Sequence, residues 1–350
     1  MARPLRIAQV APIASAVTPT STGSIEQLVF LLTEELQRRG HQVTLFATGD
    51  SQTSARLEAT YPRGYGDDPD LWNWQLHETM HVASAFERAR EFDVIHSHVY
   101  HYALPFTRLT GTPVVHSYHV IPDDDVVRLY ARYREASVVA ISRYQEGFFK
   151  GSSNVAVIPH GADIDAFPFR AAKGDYLLFL GRILRGKGVV EAVRLARLTG
   201  MRLVIAGPKN DDDDDYFRSE VAPLVDGRAV VYQGPVSPGE RNLLLGGAAA
   251  LVYPIAAPEP FGLVLIEAMA CGTPVAAFAR GAVPEIVENG VTGYGADDVG
   301  SLAAVMPAVL ALDRTRVREA AARRFDHRQM VDRYLRVYER LSPARERRSA

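Results

Sequence analysis

The chain has 350 residues, which exceeds one core of ordinary size and predicts two domains. Its formal net charge of −2 argues against nucleic acid as a partner. The single Cys271 excludes an internal disulfide framework. No apolar run approaches the roughly 18 residues of a membrane span, and the N-terminal sequence does not have the pattern of a signal peptide. We therefore expect a cytoplasmic protein, and contact with a membrane surface is possible but not favoured.

The first half of the chain alternates between strand and helix patterns. "SIEQLVFLLTEELQRRG" predicts a helix with Ser24 as its cap and Gly40 as its end, and "HETMHVASAFERARE" predicts a second helix. Short β-rich runs surround these helices, namely "LRIAQVAPI", "HQVTLFAT", "FDVIHSH", "TPVVHSYH", "ASVVAIS" and "NVAVIPHG". This alternation predicts a parallel sheet with helices on both faces.

The same alternation restarts after "DIDAFPFRAAKGD", which we interpret as a linker. We therefore predict two Rossmann-like domains, 1–167 and 168–325, followed by a C-terminal amphipathic helix over 326–342 that crosses back to the first domain. Ligands bind beyond the carboxyl ends of strands in open parallel sheets, so two such domains are expected to face each other across a cleft. The run Asp211–Asp215 is interpreted as a solvated loop, with a cation site as the alternative.

The segment Gly181–Gly188, "GRILRGKG", fits a nucleotide-binding P-loop up to its last position. A P-loop ends on a hydroxyl side chain that ligates Mg²⁺, and Gly188 has none. The segment instead carries Arg182, Arg185 and Lys187, and fixed cations of this kind can neutralise a diphosphate without a metal. The alternative is a Gly-rich turn with solvated basic side chains.

A second segment, "PEPFGLVLIEAMACGTPV", places Glu259 and Glu267 eight residues apart. Glu259 precedes a helix start whose N–H groups favour an anion by about 0.3–1 kcal/mol. Glu267 lies inside the apolar helix, where a carboxylate needs a partner. A ribose diol is a good candidate for that partner, and a helix-internal ion pair is the alternative.

Together, the GRxxxxKG and E-x7-E patterns resemble those of the retaining GT-B glycosyltransferases of family 4. "STGSIEQ", "VVHSYH", "VVAIS", "IPHGAD" and "GVTGYGADD" occur in that family's usual order, and the resemblance extends from about Arg6 to Leu341. It implies two Rossmann-like domains, the first binding the acceptor and the second a nucleotide-sugar. UDP-sugars are the working donor class, while base, sugar and oligomeric state stay open.

The resemblance also implies roles for individual residues. Arg182 and Lys187 would hold the diphosphate, Glu267 the ribose hydroxyls and Glu259 the hydroxyls of the donor sugar. Further donor contacts would come from the amides of Phe261, Gly262 and Leu263, from Val236 beside the base, from His119 facing the sugar, and from the amide of Gly23 near the phosphate or the acceptor. The chain departs from the family at Thr22, Val120 and His160, where glycine, glycine and asparagine are usual.

The function implied is a retaining, metal-independent sugar transfer with no cofactor. A phosphate oxygen would take the proton of the attacking acceptor hydroxyl, and the acceptor classes left open are a small molecule, a glycan and a lipid. The alternatives are a synthase that uses a sugar or sugar-phosphate acceptor, a non-catalytic nucleotide-sugar binder and a P-loop-like NTPase.

Three other features invite interpretation. His96 and His98 share a strand face, which invites a metal site, although nothing nearby completes a ligand set. Trp72 and Trp74 are expected to pack in the first domain, with an acceptor pocket as the alternative. Cys271 is expected to be buried filler.

Overall fold

The computed structural model describes residues 3–21, 23–209 and 214–342. They form two compact units. The first contains the described residues up to Gly161 and those from His327 onward, and the second spans Ala162–Asp326. Each unit contains one all-parallel sheet, so the predicted α/β fold with two parallel sheets is confirmed.

The first unit contains a seven-stranded sheet in the order β3-β2-β1-β4-β5-β6-β7. Five of the strands, β1, β2, β4, β5 and β6, are almost entirely buried, because helices cover both faces of a parallel sheet. The strands are β1 Arg6–Val10, β2 Gln42–Ala47, β3 Arg56–Ala59, β4 Val94–Ser97, β5 Val114–Tyr118, β6 Ser137–Ala140 and β7 Asn154–Val157, and the helices are α1 Ser24–Arg38, α2 Trp74–Glu87, α3 Asp124–Arg132 and α4 Arg143–Glu146.

The second unit contains a six-stranded sheet in the order β10-β9-β8-β11-β12-β13. Its strands are β8 Tyr176–Leu180, β9 Arg202–Ala206, β10 Val230–Gly234, β11 Ala250–Tyr253, β12 Val275–Phe278 and β13 Gly293–Ala296. Its helices are α5 Val189–Thr199, α6 Asp214–Tyr216, α7 Pro238–Gly247, α8 Leu263–Ala270, α9 Val283–Ile286, α10 Val299–Leu310 and α11 Arg314–Phe325. The last helix of the described residues, α12 His327–Leu341, belongs to the first unit.

The strand orders define where a ligand is expected. Strand order reverses between β1 and β4 in the first unit and between β8 and β11 in the second. Loops that follow neighbouring parallel strands at such a reversal open a crevice at the carboxyl edge of the sheet. In the second unit these are the β8–α5 and β11–α8 loops, which carry the GRxxxxKG segment and Glu259.

The structural division lies six residues before the sequence-based boundary at 167/168. Ala162 pairs with Asp326 in an isolated β-bridge, and Arg318 donates hydrogen bonds to the carbonyl oxygens of Ile164 at 3.0 Å and Phe167 at 2.8 Å. These contacts attach residues 162–167 to the second unit.

Two local predictions are wrong, namely the N-cap of α1 and the packing of Trp72. The N-cap of α1 is Gly23 instead of Ser24, although Gly40, with φ +84, follows the helix end as expected. Trp72 is 80% exposed and Trp74 is 37% exposed, so Trp72 does not pack in the first domain. Cys271 is buried, as expected. No helix of the described residues combines the length and the apolar composition needed to cross a membrane.

Candidate functional site

The β8–α5 loop takes a shape that only glycine permits at its last position. A short 3-10 turn covers Arg185–Lys187, and Gly188 follows with φ +81. A Cβ atom at Gly188 would lie 2.0 Å from the carbonyl oxygen of Pro254. A serine or threonine therefore cannot be accommodated here without a backbone shift, which explains in physical terms why the P-loop hydroxyl is missing.

The three basic side chains of this loop go to different places. The Arg185 guanidinium pairs with Glu220 at 2.5 Å and lies 5.1 Å from the ring centre of Tyr216. Arg182 is exposed and makes no ion pair with any residue of the described ranges. Lys187 is half-buried and turns toward the β11–α8 loop. The structure thus separates Arg185 from the diphosphate candidates Arg182 and Lys187.

Lys187, Tyr253 and Glu259 form one cluster at the carboxyl edge of the second sheet. The Lys187 Nζ lies 3.3 Å from Glu259 Oε2 and 3.5 Å from the Tyr253 hydroxyl, which donates to the same Oε2 at 2.5 Å. Burial and the neighbouring Glu259 carboxylate raise the pKa of Tyr253 well above its usual value, so it remains a hydrogen-bond donor. Sequence reasoning found two members of the cluster and missed Tyr253, the last residue of β11.

The backbone of Glu259 is fixed by a second glycine. Gly281 has φ +61, and a Cβ there would lie 2.4 Å from the Glu259 nitrogen and 2.3 Å from its carbonyl oxygen. That carbonyl accepts a hydrogen bond from the Ala282 amide at 2.8 Å. The Glu259 side chain is only 7% exposed, so its position is determined by packing as well as by charge.

Directly after Glu259, α8 begins at Leu263. Its N-cap, Gly262, has φ +92 and supplies no side-chain cap, so this helix start is suited to an external anion. Phe261 is 2% exposed and packs edge-on against Phe325 with ring centres 6.0 Å apart, which anchors the loop before the helix.

Glu267 lies deeper in α8, is 6% exposed, and pairs with Arg241 of α7 at 3.1 Å. Burial raises the pKa of Glu267, and the Arg241 charge opposes that shift. The partner belongs to a different helix, so the alternative of a helix-internal pair is wrong. Val236 is half-buried in the loop before α7, the helix that also carries Arg241. Sequence reasoning had no signal for Arg241.

His119 follows β5 in the first unit and is 8% exposed. Its Nε2 lies 3.0 Å from Nδ1 of His98, and the two rings stack with centres 5.2 Å apart. Burial lowers the pKa of His119 to about 3, so the imidazole is neutral at physiological pH.

The histidines His96 and His98 have side-chain partners at all four ring nitrogens. His96 contacts the Tyr338 hydroxyl and Ser117 Oγ at 2.6 and 2.8 Å, and His98 contacts His119 and the Gln9 amide oxygen at 3.0 and 2.9 Å. No group of three or more His, Cys, Asp or Glu within the described ranges is placed to hold a metal ion.

Of the acidic run, Asp211–Asp213 lie outside the described residues, and Asp214 pairs with Lys209 and Arg218.

At the start of α1, Glu26 folds back onto Gly23. A Cβ at Gly23 would lie 2.1 Å from Glu26 Oε2, so the carboxyl occupies the space beside the helix N-cap. Glu26 is 6% exposed, and burial raises its pKa. The amide of Gly23, expected to meet a phosphate or the acceptor, therefore has a carboxyl of the chain itself as its neighbour.

Known proteins resemble this chain along most of its length. The family model described as "Glycosyl transferases group 1" matches residues 163–325, and that described as "Glycosyltransferase Family 4" matches residues 25–166. The D-inositol 3-phosphate glycosyltransferase of Arthrobacter sp. (strain FB24) is 27% identical over 330 residues, 77% of each chain.

Two solved structures show the same fold. AviGT4, a glycosyltransferase involved in avilamycin A biosynthesis, is 27% identical with a TM-score of 0.69, over 97% of this chain and 99% of that chain. Anabaena HepE, in complex with UDP and glucose, is 20% identical with a TM-score of 0.73, over 96% and 100% of the two chains.

Proposed function

The chain belongs to the family 4 glycosyltransferases of the GT-B fold, and from that premise we propose that it transfers a sugar from a nucleotide-sugar to an acceptor hydroxyl, with retention of configuration and without a metal ion. The observation that carries the donor assignment is the cluster of Lys187, Tyr253 and Glu259 beside the uncapped start of α8. It combines a cation and a helix N-terminus for a diphosphate with a buried carboxylate for sugar hydroxyls. The donor assigned first is a UDP-sugar, because the related HepE was solved in complex with UDP and glucose.

The chemistry follows from where negative charge develops. The bond between the anomeric carbon and the diphosphate oxygen breaks, a bond from that carbon to the acceptor oxygen forms, and the acceptor proton passes to a phosphate oxygen. Lys187 and Arg182 stabilise the departing diphosphate, because preorganised cations act most strongly where charge appears in the transition state. The absence of a hydroxyl at Gly188 agrees with charge neutralisation by side chains.

The acceptor is a hydroxyl compound without a phosphate group. The buried Glu26 carboxyl lies against Gly23, at the helix start where an acceptor phosphate would otherwise bind. Glu78 is a second buried carboxyl in this region. Burial chiefly, and the charge of Glu26 in addition, raise the pKa of Glu78 to about 8. A phosphate entering this region would add a third acidic group to two that are already poorly solvated.

The donor proposal is tested by melting the protein with UDP-, GDP-, ADP- and TDP-glucose and with the matching bare diphosphates. Binding at a hundredfold excess over Kd stabilises the folded state by about 2.7 kcal/mol, a shift of several degrees in Tm. Release of free glucose from the active donor in the absence of acceptor separates an enzyme from a non-catalytic binder. The donor proposal is wrong if no compound shifts Tm at millimolar concentration.

The acceptor proposal is tested with a free sugar and the phosphate of the same sugar. We expect transfer to the free sugar, little transfer to its phosphate, and a gain for the phosphate in Glu26→Gln, which keeps the shape and removes the charge. Preferred use of the phosphate by the unaltered protein would contradict the proposal and favour the sugar-phosphate synthase.

A further inference from the structure

A continuous hydrogen-bonded chain of buried side chains connects His119 to the C-terminal helix. From His119, the contacts run through His98 to the Gln9 amide oxygen, and the Gln9 amide nitrogen donates to the Tyr338 hydroxyl at 3.1 Å. Tyr338 in turn contacts His96 at 2.6 Å. All five side chains belong to the first unit, and none is more than 8% exposed.

The orientation of the Gln9 amide determines which nitrogen carries the proton in His98 and in His119. Its oxygen faces His98 Nε2 and can only accept, so that nitrogen must be protonated. Burial lowers the pKa of His98 well below its usual value, so the ring is neutral and its Nδ1 has a lone pair. His98 Nδ1 then accepts a hydrogen bond from the protonated Nε2 of His119. Because His119 is neutral, its Nδ1 is unprotonated.

The other end of the hydrogen-bonded series is compatible with the same order. Because the Gln9 nitrogen donates to the Tyr338 oxygen, the Tyr338 proton is free to point at His96 Nδ1. His96 then donates from Nε2 to Ser117 Oγ at 2.8 Å. Each donor in the series thus faces an acceptor, and reversing the Gln9 amide alone or the His98 imidazole alone would set two donors or two acceptors against each other.

The free end of the series is His119 Nδ1. This nitrogen is buried and has no hydrogen-bond partner among the residues that the structure describes. A buried acceptor without a partner costs about 1–3 kcal/mol, which a ligand that supplies a proton donor recovers. A sugar hydroxyl supplies such a donor, whereas an ionised phosphate oxygen only accepts.

We propose that Gln9, His98 and Tyr338 are positioning residues that hold His119 as the Nε2-protonated tautomer, so that its Nδ1 accepts a hydrogen bond from a hydroxyl of the transferred sugar. The contact with the sugar rests on the proposed function. The tautomer does not, because it is a property of the chain alone.

The tautomer is read by nitrogen NMR of protein labelled at its 10 histidines, with the His119 signals assigned by their loss in His119→Asn. A protonated and an unprotonated imidazole nitrogen give well-separated signals, so the tautomer of His119 is observed directly. We expect an unprotonated Nδ1 in the unaltered protein. A His119 that is protonated at Nδ1 overturns the proposal, whatever the enzyme assays show.

Two variants of Gln9 form a matched pair. Gln9→Glu keeps an acceptor oxygen toward His98 and should preserve the His119 tautomer. Gln9→Met is similar in shape but has no acceptor, so both tautomers should be populated, and turnover should fall about 10-fold, as for one lost hydrogen bond. Tyr338→Phe, which keeps the ring and releases the Gln9 amide, gives the same measurement if Gln9→Met does not fold. An unchanged tautomer in the variant that folds overturns the positioning role.

The sugar contact is tested by adding the nucleotide-glucose that shifts Tm and, separately, its bare diphosphate. The His119 Nδ1 signal should move with the first and stay in place with the second. If both leave the signal unchanged, the contact is refuted. If no nucleotide-sugar binds in the melting assay, the proposed function fails, while the tautomer measurement still decides the positioning role.

Discussion

Replacing Lys187 by alanine tests the proposed donor site most directly. The substitution removes the ammonium group that lies 3.3 Å from Glu259, and with it the cation assigned to the diphosphate. A hydrogen bond to a charged group contributes about 1.5–3 kcal/mol, so we expect kcat/KM to fall about 10- to 150-fold. Folding stability should fall as well, by about 1–3 kcal/mol, because the buried Glu259 carboxylate then retains Tyr253 as its one side-chain partner among the described residues.

The same loop supplies the matched control for this experiment. Arg185 lies two residues away, but its guanidinium is held by Glu220 and Tyr216. Arg185→Ala should therefore leave transfer rate and nucleotide affinity within about twofold, since an exposed ion pair contributes about 0–1 kcal/mol. Steady-state transfer with the active nucleotide-sugar and titration with the bare diphosphate measure both variants. Equal losses in the two variants would refute the division of roles within the loop.

Three further predictions concern folding stability, measured by urea unfolding or thermal melting. The folded-state pKa of Glu78 is raised from 4.5 to about 8, so the folded state binds a proton that the unfolded state has lost, and stability falls between these pH values by about 1.4 kcal/mol per unit. Glu78→Gln removes this pH dependence, so the stability of the variant relative to the unaltered protein should increase from pH 5 to pH 8. A stability difference that stays constant over this range would contradict the raised pKa of Glu78. Arg241→Met leaves Glu267 buried and unpaired, so we expect a loss of about 3–5 kcal/mol, and a loss below about 1 kcal/mol would show that the ion pair contributes little. Gly188→Ser restores the P-loop pattern but should lower stability by about 1–3 kcal/mol through backbone strain, without triphosphate hydrolysis; an unchanged Tm or new hydrolysis would contradict this.

Sequence patterns predicted the central strands better than the edge strands. The strands β8 and β11 consist of apolar runs, as is typical of a parallel sheet buried on both faces, and β1 is apolar apart from Arg6 and Gln9. The edge strands β3 and β13 were missed. β3 has the sequence RLEA and β13 has GYGA, and neither is apolar enough to indicate a strand. Their conformation comes from pairing with a neighbouring strand, a tertiary effect that local propensity does not contain.

The candidate site shows the same limit. Glu259, Glu267 and Lys187 could be found from spacing, because short motifs fix their position relative to a strand end or a helix. Their partners could not. Tyr253 and Arg241 meet these residues only because β8 and β11 are neighbours in the sheet and because α7 packs beside α8. Which loops meet at a sheet edge depends on strand order, and a linear motif does not encode strand order.

If the proposed donor site is right, nucleotide-sugar binding exchanges the ion pair of Lys187 with Glu259 for contacts with the diphosphate and the sugar. Without a ligand, the ammonium and the carboxylate neutralise each other in a site where the carboxylate is nearly buried. A diphosphate alone would draw Lys187 away and leave Glu259 with less compensation, whereas a nucleotide-sugar also brings hydroxyl donors for that carboxylate. We therefore infer that the sugar and the diphosphate bind cooperatively. On this inference, the Tyr253 hydroxyl, which donates to Glu259 in the ligand-free protein, holds the carboxylate in place when Lys187 turns to the phosphate.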